Sequence, residues 1–317
     1  MLVARSLSRI VPLAVVLALS GGACALESRN ADGHTPEAVS LLGTKLFARV
    51  DSGDVARADS LLAAGPPETT RLIEAGNSYA AAWRFNEAVQ LYTRAIEAEP
   101  ANPLPYRFRG HRYISLRRFD DAIEDLERAS SLDTLSFDIA YHLGLAHYLT
   151  GHWDRAADVY RRCLSHAVNP ELMALERSGR LPATYRSCMR NATHDDSRVA
   201  MTDWYYRTLR RGGRDDEAAT LLASIEEGMS VTANESYYNA LLFYKGLRSD
   251  TALLAFAQSD SVRFSTAGYA LGAHHLVEGD TAAALQLFDR ISRGGHWPGF
   301  GVIAAEVELT RLGRRRR

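Results

Sequence analysis

The feature of this 317-residue chain that most limits its fold is a spacing: Gly76, Gly110 and Gly144 follow one another at 34-residue intervals. A residue type that returns at fixed period without a gap means that one local structure is built repeatedly and stacked, since a unit of that length cannot bury its apolar faces alone. The surroundings of each glycine return as well. Leu72, Gly76, Tyr79, Ala88, Tyr92, Ala95 and Pro100 make the first copy, and Tyr106, Gly110, Tyr113, Ala122, Leu126 and Ala129 the second. Leu143, Gly144, His147, Ala156, Tyr160 and Cys163 make the third. Small residues mark close helix approaches, and large apolar ones fill the space between neighbouring pairs.

This skeleton resembles the tetratricopeptide repeat (TPR), a 34-residue helix–turn–helix unit. The resemblance implies an all-α protein, an α-α superhelical solenoid of TPR and TPR-like helix pairs with a C-terminal capping helix. A further copy lies near the other end, at Leu271, Gly272, His275, Gly279, Ala284, Phe288 and Ile291. Pro36 to Val50 reads as the first helix of a degenerate unit whose second helix carries Ala58 and Leu62. Ser197 to Ile225 and Ser236 to Gln258 read as divergent units turning at Gly212-Gly213 and at Arg248-Ser249-Asp250. The expected organisation is an N-terminal array over 36–170, an irregular connector over 171–196 and a divergent array over 197–313, followed by a basic tail at 314–317. Thr134 and Val168 replace Pro100 in the later copies, so those helices lack its stop; Asn169-Pro170 restores one. Trp297 to Leu312 is expected to be an amphipathic terminal cap, with Val302, Ala305, Leu309 and Leu312 on one face and Gly313 behind it.

Residues 1–24 have the layout of a signal peptide: Arg5 and Arg9, an apolar run from Ile10 to Leu19, then small residues. That run is shorter than the roughly 20 residues a membrane-spanning helix needs. Cys24 resembles the acylated cysteine of a bacterial lipobox, although Gly21 stands where that motif has an apolar residue and Ala23-Cys24-Ala25 also fits ordinary cleavage. Both outcomes imply an exported protein, either free in the periplasm or anchored as an outer-membrane lipoprotein, with 25–35 as a linker. Cys163 and Cys188 then face an oxidising compartment, where they can pair or remain packed thiols.

With 46% apolar and 24% charged residues and a net charge of −1, nothing points to nucleic acid; Arg314 to Arg317 reads as a solvated tail. Catalytic and cofactor signatures are missing: there is no nucleophile elbow, phosphate loop, dinucleotide fingerprint or metal-ligand spacing. His147 and His275 fall where Tyr79 and Tyr113 stand in other copies, which makes them packing residues. Asp120-Asp121 and Asp215-Asp216 precede second helices and complement their dipoles.

Function is therefore expected on the concave face of the solenoid. The register puts Ile73, Asn77, Arg107, His111, Ile114, Tyr141, Leu145 and Tyr148 there, facing a protein or peptide partner of the cell envelope. The resemblance implies that Asn77 hydrogen-bonds an extended peptide. It also excludes the basic clamp that grips chaperone C-termini, since Ile73, Phe108 and Asp138 stand at its positions. A second expectation is a small-ligand or glycan binder whose groove aromatics, with Trp204, Tyr205 and Tyr206, stack on sugar rings.

Overall fold

The computed structural model describes residues 35–313 apart from 51, 67, 181–185 and 259. The signal segment, Cys24 and the basic tail lie outside the described residues. Among the described residues sixteen α-helices follow a short hairpin.

Three helix pairs carry the clean copies: α2 (Thr69–Ala81) with α3 (Phe85–Ala98), α4 (Pro103–Ser115) with α5 (Phe119–Leu132), and α6 (Phe137–Thr150) with α7 (Trp153–Ser165). Each glycine of the period sits where the second helix crosses the first. A Cβ on Gly76 would meet the Tyr92 ring at 2.6 Å and one on Gly110 would meet Leu126 at 2.7 Å, while one on Gly144 would strike Tyr160. Near the C-terminus α14 (Ser261–Val277) and α15 (Thr281–Ser292) follow the same rule, with Gly272 against Phe288 at 2.6 Å. The large partner is sixteen residues beyond the glycine every time. The divergent pairs, α10 (Asp195–Arg211) with α11 (Asp215–Ala223) and α12 (Glu235–Tyr244) with α13 (Asp250–Ala257), put Tyr206 and Leu241 at that crossing position. Tyr206 stacks on Tyr244 of α12, with ring centroids 4.3 Å apart.

Helices stop without Pro100. Helix α5 ends at Leu132, the position equivalent to the α3 end, and Asp133 accepts the N–H of Leu135 there. A 3-10 turn, His166–Val168, extends α7. Asn169-Pro170 begins an element: the Asn169 carboxamide accepts from the N–H groups of Glu171 and Leu172, with Pro170 in the first turn of α8 (Pro170–Arg177). The connector thus contains α8, which has no buried residue, and α9 (Cys188–Thr193). Cys163 and Cys188 form a disulfide that pins α9 to α7, with Cα atoms 5.2 Å apart.

Two expectations fail. Pro36 to Val50 is not a helix: Ala38–Val39 (β1) and Lys45–Leu46 (β2) pair antiparallel around a turn held by the Ser40 hydroxyl, which accepts from the N–H groups of Leu42 and Thr44. Only α1 (Ser52–Ala63) completes that end of the array. The last helix, α16 (Phe300–Arg311), does pack on the final pair, α14 and α15, but it starts after Trp297 and is not an amphipathic lid. Every residue from Gly301 to Leu309 is buried, Glu306 and Glu308 included. A helix apolar on all sides belongs inside a structure.

Candidate functional site: a concave face filled by the last helix

The eight residues expected on the concave face divide into two sets. Ile73, Ile114, Leu145 and Tyr148 are buried. Ile73 belongs to the cluster under α1, while Ile114, Leu145 and Tyr148 share one core with Val302, Ile303, Ala304 and Leu309 of α16. Asn77, Arg107, His111 and Tyr141 remain half-buried. As an open partner surface the predicted face is corrected: most of its depth is occupied by the chain's own C-terminal helix.

Two residues that the sequence reading did not single out hold that segment. The turn between paired helices needs one left-handed residue, supplied by glycine at Gly151, Gly213 and Gly279 with φ of 83°, 70° and 89°. The first two units place Trp83 and Arg117 there instead, at φ 61° and 64°. A Cβ in this region costs on the order of 1 kcal/mol, and both side chains turn toward the C-terminal segment. Trp83 meets His296 and Trp297 edge-on at 5.3 and 5.8 Å. Arg117 grips Glu306 with two bonds of 3.1 and 2.7 Å and donates to the Trp297 carbonyl at 3.0 Å.

The other contacts come from all around. Glu308 pairs with Arg211 of α10 and with Arg311, both at 3.0 Å, and Arg311 also donates to the Leu149 carbonyl at the end of α6. The N-terminal hairpin closes the remaining side: the Leu41 N–H donates to Glu306, and the Trp297 indole donates to the Phe47 carbonyl at 2.8 Å. Gly301 allows α16 to lie on the backbone of Ser265 in α14, where any Cβ would collide with the Ser265 carbonyl.

At the N-terminal end of α16, His111, His142 and Tyr141 surround Phe300; the two imidazole centroids are 4.2 Å apart. Burial, with nearby guanidinium groups, pushes both histidines well below the usual imidazole range, so they are neutral. Arg107 lies 4.4 Å from the Phe108 ring centroid and 3.5 Å from Asp138, which Arg186 also approaches at 2.8 Å. Asn77 turns inward, its carboxamide oxygen accepting from Tyr92 at 2.8 Å. Tyr141 accepts from the Trp204 indole at 3.1 Å and shares a hydrogen bond with Tyr237.

The aromatics invoked for sugar stacking lie in the core: Trp204, Tyr205, Tyr206 and Tyr148 are all buried. The acid pairs head α5 and α11 as expected, Asp121 bonded to Arg118 and Asp215 to Arg210. His147 is 2% exposed and His275 half-buried. The unpredicted residues did leave traces in sequence: two turns lack their glycine, and two glutamates interrupt an apolar run.

The repeat is shared with known proteins. A model of the tetratricopeptide repeat matches residues 108–167. Small glutamine-rich tetratricopeptide repeat-containing protein 2 of Saccharomyces cerevisiae is 34% identical over 102 residues, which cover 32% of this chain and 30% of that protein. Hsp70-Hsp90 organizing protein 2 of Arabidopsis thaliana is 27% identical over 96 residues, 30% of this chain and 17% of that protein. The chain thus spans about a third or less of these curated relatives. A solved tetratricopeptide repeat protein from Parabacteroides merdae is 16% identical, with 81% of this chain and 92% of that one covered and a TM-score of 0.48. The repeat match, and one crossing rule that Gly76, Gly110, Gly144 and Gly272 all obey, place the repeats of this chain in the tetratricopeptide repeat family.

Proposed function

We propose that this protein is a non-enzymatic interaction module of a bacterial cell envelope, exported and held either free in the periplasm or by a lipid on Cys24 at the outer membrane. Tetratricopeptide repeats mediate protein–protein contacts, and the curated relatives include proteins named as co-chaperones. The partner of this chain is a peptide or protein segment lying along the concave rim, where Asn77, Arg107 and Tyr141 are half-buried. The observation that carries the reading is the occupancy of the face by α16, a helix whose Phe300 enters among His111, Tyr141 and His142 and which carries its own carboxylates, Glu306 and Glu308. A face that accepts such a helix suits a partner of like chemistry, apolar with one or two acids. The Cys163–Cys188 bond favours an oxidising compartment.

The test expresses the chain with its own N-terminus in a Gram-negative host, with a photo-crosslinking residue at Asn77 or Phe108 on the rim, or at exposed Val168 as control. A discrete protein adduct in the envelope fraction from the rim positions alone is the expected result. A chain retained in the cytosol, or adducts equal at all three positions, would refute the reading. A Cys24→Ser variant separates the two modes of export: loss of membrane association identifies the lipid, and unchanged solubility identifies the free form.

A further inference from the structure

A cavity of about 340 Å3 opens beside the N-terminus of α16, between it and the turns of the first two repeats. Its walls are apolar: Trp83, Phe85, Phe300, Pro298 and the methyls of Ala80 and Ala81. Its polar lining is cationic or neutral, with Arg112, His111, His296 and Ser115, and it includes no acid.

Arg112 is the anomaly. Its Nη2 meets Nδ1 of His111, its plane rests 5.0 Å from the Phe85 centroid, and its buried Nε has no hydrogen-bond partner. Among the described residues no carboxylate forms an ion pair with it, whereas the neighbouring Arg107 and Arg117 each have one. Burial lowers this guanidinium to about 10, still charged at neutral pH. The residue is half-buried, and a guanidinium that is partly withdrawn from water with no counter-charge is costly and is normally paired. The second feature is independent: α16 starts at Phe300 behind Gly299, an N-cap residue with no side chain to accept from the first N–H groups of this twelve-residue helix. Gly299 and Phe300 line the same cavity as Arg112.

We infer that this cavity is a binding site for a small organic acid, a carboxylate attached to an apolar or aromatic body. The carboxylate sits between the Arg112 guanidinium and the N-terminus of α16, and the body lies among Trp83, Phe85 and Phe300. None of these positions belongs to the basic clamp of the repeat family, and the site does not depend on any protein partner.

The probe is 3-phenylpropionate, titrated into the mature chain and followed by calorimetry and by the indole N–H resonance of Trp83. Saturable binding that shifts this resonance is expected, with affinity at least tenfold weaker for 3-phenylpropionamide, which lacks the charge, and for Arg112→Met checked for wild-type helicity. The amide comparison needs no variant, so misfolding of Arg112→Met leaves the test intact. A peptide ending in phenylalanine, free or amidated at its C-terminus, distinguishes sources: tighter binding of the free peptide than of the acid assigns the carboxylate to a chain terminus. No binding to the wild type, equal binding of acid and amide, or inorganic phosphate binding as well as the aromatic acid would each overturn the assignment.

Discussion

Replacing Arg117 by alanine tests whether α16 is clamped as described. The side chain and its Glu306 partner are each 3% exposed and joined by two hydrogen bonds, and Glu306 also accepts from the Leu41 N–H. Removing one member of such a pair leaves a buried carboxylate uncompensated, a loss of about 3–5 kcal/mol. At roughly 2 °C per kcal/mol for a chain of this size, the melting temperature should fall by about 6–10 °C. Two companion variants separate the causes. Arg117→Gly also loses the pair but relieves the left-handed backbone at φ 64°, so it should be about 1 kcal/mol more stable than Arg117→Ala. Arg117→Met combined with Glu306→Leu removes both charges and should recover most of the loss, because apolar replacements of similar volume are well tolerated where ion pairs were buried. The assay is chemical unfolding followed by far-ultraviolet circular dichroism, analysed as a double-mutant cycle. An Arg117→Ala cost below 1 kcal/mol, or a double variant as unstable as the sum of its singles, would show that the pair does not hold α16 in place.

Three further outcomes follow from the packing. Gly301→Ala puts a methyl onto the Ser265 carbonyl, a backbone atom that cannot rotate away, and should cost more in melting temperature than Gly76→Ala, whose methyl meets the Tyr92 ring and costs about 1–3 kcal/mol; a reversed order would contradict the seating of α16 on α14. Reducing Cys163–Cys188 frees a 25-residue separation and should lower unfolding free energy by about 3 kcal/mol, read as a shift in the urea midpoint with and without reductant. Stability should also fall on acidification. His111 and His142 lie well below their ordinary value and His147 is pushed down to about 4, chiefly by burial, so between about pH 6.5 and pH 4 the unfolded chain binds protons that the folded chain refuses. Each contributes at most about 1.4 kcal/mol per pH unit, and an unfolding midpoint that stays flat from pH 7 to pH 5 would exclude neutral histidines at these positions.

Much of the fold was legible in the chain. The repeated glycines encode a contact between helices only sixteen residues apart, so local spacing carries the tertiary information, and the helix pairs around Gly76, Gly110, Gly144 and Gly272 could be read directly. The hairpin at 36–50 escapes a sequence pattern because its two-residue strands are too short to impose alternation; it is held by the Ser40 hydroxyl in its turn and by two distant contacts, Glu37 with Asn86 and the Leu41 N–H with Glu306. Asn169-Pro170 was ambiguous because the same residues that follow one helix also begin another. Less of the site was legible: of the residues that register assigned to the concave face, Ile114, Leu145 and Tyr148 share a core with α16 and Ile73 packs in a separate cluster under α1, and register gave no sign of what covers them.

The sequence by itself determined the unit, its period and the side of each helix that faces inward, since these depend on neighbours within one repeat. Only the tertiary structure decided that the solenoid closes on its own C-terminal helix. That outcome rests on pairs separated by more than 180 residues, Arg117 with Glu306 and Trp297 with Phe47, and contacts between distant segments have no fixed spacing for a sequence to display.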